Sequence, residues 1–69
     1  MTEPTARQIE IIALLARGRR RADVMAELHM ADGTIKKHLR EAYARLGARN
    51  IGHAVGICYE RGLIKRGGS

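Results

Sequence analysis

Apolar residues recur along this chain at helical spacing, and no stretch alternates as a strand would. Ile9, Ile12, Ala13 and Ala16 fall at i, i+3, i+4 and i+7, which draws one stripe along a first helix. Thr5 and Gln8 form a capping-box signature before it, and Gly18 suits the residue that ends it. The predicted helix runs from about Ala6 to Arg17. Val24, Met25 and Leu28 give a shorter second stripe, with Ala22 and Asp23 suited to its first turn, over Arg21 to His29. Its cap position holds Arg20, where Ser, Thr, Asp or Asn is usual. The first N–H groups and the helix dipole are therefore left to water or to an anion.

The third segment, DGTIKKHLREAYARLG from Asp32 to Gly47, carries two faces. At 100° per residue, Ile35, Leu39, Ala42, Tyr43 and Leu46 share an arc of roughly 100°. Lys36, Lys37, Arg40, Glu41 and Ala44 occupy a separate arc of roughly 140°, with His38 and Arg45 on the far flank. Such a helix spans about 20 Å, enough to lie across a DNA groove. Asn50 caps a fourth helix that runs to about Arg61, with Ile51, Ala54, Val55 and Cys58 as its stripe. Gly62 ends it, and Leu63 with Ile64 can fold back over the stop.

These elements predict an all-α fold, one four-helix domain over residues 1–69, with an ordered core of about 5–64 and a mobile tail over 65–69. Three to five residues separate the second and third helices. That is the spacing of a helix-turn-helix, whose second helix enters the DNA major groove.

Charge supports the same direction. Thirteen Lys+Arg against seven Asp+Glu leave a formal +6 on 69 residues, a balance that suits a polyanionic partner. A basic surface also serves solubility, so the placement of the charges must decide. Cys58 is the single cysteine, which excludes an internal disulfide and fits a reducing cytoplasm. His29 and His53 have no partner at ligand spacing, so neither a metal site nor a cofactor is expected. The start MTEPTARQ is polar and no apolar run reaches the length of a membrane span. The expected protein is soluble and intracellular, with no membrane partner. The initiator Met and untagged tail read as a complete natural product. No Ser/His/Asp set, phosphate-cradling glycine loop or paired carboxylates point to an enzyme.

The pieces TARQIEIIALLARG, MAELHMADGTIKKHLREAYARLGARN and AVGICYERGLI resemble, in order and spacing, the LuxR-type (GerE-like) DNA-binding domain over about Thr5 to Ile64. The most specific matches are Thr34-Ile35-Lys36-x-His38, Leu46-Gly47 at its distance, and Ala54-Val55. The resemblance implies a four-helix domain that binds operator DNA, usually as a dimer joined through the fourth helix. It implies a transcription regulator, here without an attached sensor domain, in the cytoplasm of a bacterium or phage-infected cell and nucleoid-associated when bound. Several positions depart from the family pattern. Ala31 stands where a capping Ser is usual, leaving Asp32 as an alternative cap that would start the helix one residue later. Gly33 in that first turn costs about 1 kcal/mol relative to Ala. Arg20 and Arg21 replace a usual Ser-Asn, Met25 stands where a small Ala is common, and Ile51 and Gly52 stand where Arg or Ser/Thr is frequent.

By resemblance, Lys36, Lys37 and Arg40 match positions that read bases, and Thr34 and the start of the second helix match positions that hold phosphates. Arginine offers two donors that fit guanine O6 and N7, and lysine does the same less rigidly. Arg19, Arg20 and Arg21 read as phosphate clamps, joined by Thr34, His38 and Arg49. Glu41 is read as an i,i+4 partner of Lys37 rather than as an acceptor for cytosine. Gly52 and Gly56 leave a smooth strip on the fourth helix, which suits a dimer seam of Ile51, Gly52, Val55, Cys58 and Tyr59. An ordinary intramolecular contact is the alternative, with Cys58 a small buried hydrophobe. A second reading of the whole chain is a protein-interaction module of the same fold that binds RNA polymerase or another regulator.

Overall fold

The computed structural model describes residues 3–65, so all of the tail expected to be mobile except Lys65 lies outside the described residues. Four helices follow one another, α1 (Ala6–Ala16), α2 (Arg21–Leu28), α3 (Asp32–Leu46) and α4 (Ile51–Glu60), and among the described residues there is no strand. The fold is all-α, with α2 and α3 joined by residues 29 to 31 as a helix-turn-helix. α1 packs on the other three helices, and α3 packs on α1, α2 and α4.

At the start of α1 the Thr5 hydroxyl accepts the Gln8 N–H at 3.2 Å, and Gln8 Oε1 accepts the Thr5 N–H at 3.0 Å. Gln8 is itself buried, and its Nε2 donates to Glu41 Oε1 on α3 at 3.2 Å. Glu41 therefore faces α1 and does not pair with Lys37. A buried amide needs an acceptor, and Glu41 is the one in reach. The α1 stripe also differs from the one read off the periodicity. Gln8, Ile11, Ile12 and Leu14 are buried, while Ile9, Ala13 and Ala16 are only half-buried. The buried arc is turned by about a third of a circle, since Ile11 and Leu14 rather than Ile9, Ala13 and Ala16 face the other helices, with the satisfied Gln8 beside them.

The core gathers Ile11, Ile12, Val24, Ile35, Ala42, Ala54 and Cys58, all without exposed surface, and Leu14, Leu39, Leu46 and Ile64 complete it. Met25, Leu28 and Tyr43 pack on its rim.

Each helix ends by turning one residue into the left-handed region: Gly18 (φ 89°), His29 (φ 55°), Gly47 (φ 72°) and Gly62 (φ 72°). The next amide then reaches back to the carbonyl five residues earlier. Arg19 bonds Leu14 at 3.2 Å, Met30 bonds Met25 at 3.0 Å, Ala48 bonds Tyr43 at 2.9 Å and Leu63 bonds Cys58 at 2.8 Å. α2 stops before His29 for this reason. At the other end of the turn, Ala31 occupies the cap of α3 without a side-chain bond. Asp32 is the first helical residue rather than the cap, so α3 is not shortened. Asn50 caps α4 by accepting the His53 N–H at 2.9 Å, and His53 Nδ1 accepts the Arg49 N–H at 3.2 Å.

His29 is the only non-glycine with positive φ among the described residues, and left-handed backbone costs such a residue roughly 1–2 kcal/mol. His29→Gly is expected to stabilise the domain by about 1 kcal/mol, after its own entropy loss. That shift corresponds to a rise of about 4–8 °C in the melting midpoint of a domain this size, readable by circular dichroism.

Candidate nucleic-acid interface

The packing of α3 decides which of its side chains remain outside. With Ile35, Leu39, Ala42 and Leu46 turned into the core, Lys36, Lys37 and Arg40 are exposed together on the opposite side. Thr34 is exposed in the first turn of the same helix. Across the α2/α3 junction, a shallow groove of about 310 Å³ is lined by Arg21, Lys36, Leu39, Arg40 and Tyr43. Burial pushes the Tyr43 phenol up from its ordinary pKa, and the nearby Arg21 charge partly offsets this. The phenol is thus held further from ionisation than an exposed tyrosine, in a groove it lines together with three cations.

The cations are not equivalent. Arg21 Nε lies 2.8 Å from Asp32 Oδ1, and Lys36 Nζ lies 3.4 Å from Asp32 Oδ2. Arg19 pairs with Glu27 at 2.7 Å, and the Arg20 guanidinium approaches Asp23 at 3.9 Å. Lys37, Arg40 and Arg49 carry no ion pair among the described residues. The start of α2 is also less open than its missing cap residue suggests. The Arg20 N–H donates to Asp23 Oδ2 at 3.1 Å, and the Asp23 and Val24 amides both return to the Arg20 carbonyl.

His38 is half-buried, and its Nδ1 is enclosed with no hydrogen-bond partner. Only Nε2 can serve an outside acceptor, so a phosphate contact from His38 requires that nitrogen to carry the proton. Arg49 is exposed at the far end of α3, beyond Gly47, and so stands apart from the arginines of α2. Two members of the interface were not singled out by residue type. Asp32 joins α2 to α3, and its i,i+4 relation to Lys36 was readable while the link to Arg21 was not. Tyr43 has one edge on the core and one in the groove.

On α4, Ile51, Val55 and Tyr59 are half-buried and Gly52 is exposed, so these four keep surface available to a partner. Cys58 does not: it is fully buried between helices and has no part in a surface seam. A Cβ added at Gly56 would meet nothing within 4 Å, so close packing inside the chain is not what that glycine serves.

The match to bacterial regulatory proteins of the luxR family covers residues 5–58. The chain belongs to this family. The luxR family is a class of regulatory domain rather than of enzymes. The uncharacterized transcriptional regulatory protein YvfU of Bacillus subtilis is 35% identical over 60 residues, 87% of this chain and 30% of YvfU. The response regulator RamR of Streptomyces coelicolor is 31% identical over 58 residues, 84% of this chain and 29% of RamR. The crystal structure of the response regulator ChrA, from a heme-sensing two-component system, superimposes with a TM-score of 0.84 at 31% identity. That superposition covers 93% of this chain and 32% of ChrA. The chain thus spans about 30% of the length of the curated relatives it matches. No helix among the described residues is long and apolar enough to cross a membrane.

Within this luxR-family domain, burial raises the Cys58 thiol pKa, with Arg61 partly lowering it and Glu3 adding to the rise. Less thiolate forms at any pH, and the sulfur is out of reach. Native protein is expected to react with a thiol reagent at least about a hundredfold more slowly than urea-unfolded protein, since access requires opening by several kcal/mol. Equal rates would mean that Cys58 is at the surface.

Proposed function

We propose that the chain binds double-stranded DNA sequence-specifically as a transcription regulator of the bacterial cytoplasm, with α3 in the major groove. The observation that carries this reading is the exposed Lys36, Lys37 and Arg40 arc on the second helix of a helix-turn-helix, opposite the core face. In this reading Lys36, Lys37 and Arg40 contact base edges, and Arg40 can bond guanine O6 and N7 together. Arg19, Arg20 and Arg21 hold phosphates at the start of α2, helped by Thr34, His38 through Nε2, and Arg49. The regulatory names of YvfU, RamR and ChrA support the same role.

The domain works as a homodimer that reads two half-sites about one helical turn apart, roughly 34 Å. Its seam uses the accessible part of α4, namely Ile51, Gly52, Val55 and Tyr59, without Cys58. Sedimentation with and without a selected duplex tests this part: a complex of two chains per duplex is expected, and one chain per duplex at saturation would contradict it.

Binding to genomic fragments is expected to be saturable and to weaken steeply with salt. Arg40→Ala should cost about 1–3 kcal/mol on a selected site and little on random DNA. Arg20→Ala should weaken all sequences alike and flatten the salt slope by about 0.9. An Arg40→Ala loss that is equal on selected and random DNA would contradict base reading. Absence of any saturable, salt-sensitive binding would favour a protein-interaction module that recruits RNA polymerase or another regulator.

A further inference from the structure

We propose that Asp32 is a specificity-determining residue, whose carboxylate holds Arg21 and Lys36 and so limits binding to DNA of unrelated sequence. The inference rests on the DNA-binding reading and adds to it a residue that opposes, rather than supplies, affinity.

The geometry is a three-member ion-pair chain across the helix-turn-helix. Asp32 Oδ1 meets Arg21 Nε at 2.8 Å, and Oδ2 meets Lys36 Nζ at 3.4 Å. Each carboxylate oxygen is used by one cation, one from α2 and one from α3. All three side chains keep between 41% and 55% of their surface exposed, so the chain is solvated and worth little to stability. Asp32 is also the acidic residue of the α3 first turn, where it complements the helix dipole by a fraction of a kcal/mol at such exposure. Its larger effect is on charge at the interface. Arg21 and Lys36 both line the groove beside Arg40, and Asp32 places a negative charge between them.

A phosphate that approaches this corner must either displace the carboxylate from a cation or accept its repulsion. Phosphates are common to every duplex, so that penalty applies to all sequences. Lys37 and Arg40, which carry no ion pair among the described residues, pay no such penalty. In a cognate register Lys36 meets a base edge, so a phosphate faces Asp32 only at Arg21. At an unrelated site Lys36 also turns to a phosphate, and the penalty arises at both cations. Asp32 therefore lowers non-specific affinity more than cognate affinity, and specificity is that difference. The same carboxylate holds Lys36 on the groove side of α3, so it acts as a positioning residue as well.

The test compares wild type, Asp32→Asn, Asp32→Glu and Glu10→Gln on a duplex obtained by binding-site selection and on a scrambled duplex, across salt. Glu10 pairs with Arg7 on α1, so Glu10→Gln changes net charge by the same amount without touching the triad. Asp32→Asn is expected to bind the scrambled duplex about eightfold more tightly at 0.1 M salt, with a log–log salt slope steeper by about 0.9, the gain of one phosphate contact. Its gain on the selected duplex is expected to be smaller, so the specificity ratio falls. Asp32→Glu keeps the wild-type slope, and Glu10→Gln changes neither duplex. An Asp32→Asn protein that matches Glu10→Gln, or that gains equally on both duplexes, overturns the inference while wild-type binding still stands. If wild type binds neither duplex in a salt-sensitive way, the DNA-binding reading fails and this inference with it.

Discussion

Everything the interface can do depends on the angle at which α3 is locked about its own axis. Ile35 and Ala42 have no exposed surface, and Leu39 and Leu46 have very little. Turning the helix by one residue's worth of rotation in either sense would expose several of these and drive charged side chains into the interior. Each isoleucine or leucine among them is worth about 1.5–3 kcal/mol of burial, and an unpaired buried charge costs several more. No other phase competes. Gln8 reinforces it from α1: a buried amide that caps its own helix also reaches Glu41, which fixes the edge of α3 between core and groove.

Once α3 is locked, the surface charge is organised rather than merely abundant. The formal charge of +6 is not spread as six free cations. Arg19, Arg20, Arg21 and Lys36 are each drawn toward a carboxylate, whereas Lys37 and Arg40 are left without ion pairs among the described residues. Exposed pairs of this kind contribute little to folding, and salt weakens them. They do determine which cations meet a polyanion at once and which must first exchange partners. Asp32 stands where that distinction matters most, between the two helices of the motif.

Helix number, order and the two faces of α3 were legible from periodicity, caps and glycine stops, because these are local signals. Gly18, Gly47 and Gly62 end their helices as their type suggests. His29 does the same against its type, and α1, α2 and α4 each end one residue before the position that the pattern predicts. The α1 stripe differs because apolar residues fill nearly every position from Ile9 to Ala16, so more than one face reads as core, and packing on the other helices selects the one with Ile11 and Leu14. The sequence shows only neighbours along the helix and so points Glu41 to Lys37, while its partner is Gln8 on another helix. Its phase on α4 suits Cys58 to either the core or a seam, and burial leaves only the first. The basic arc was readable because it follows from the core arc. The ion pairs that restrain its neighbours required knowing where α2 ends up.

Backbone amide NMR during titration with a selected duplex tests groove recognition by α3 most directly, since it reports every position of the domain at once. The largest shifts are expected at Arg19 to Arg21 and from Thr34 through Arg40, with the buried residues of α1 nearly unmoved. Shifts confined to α4 or the outer face of α1, with α3 unchanged at saturation, would contradict it.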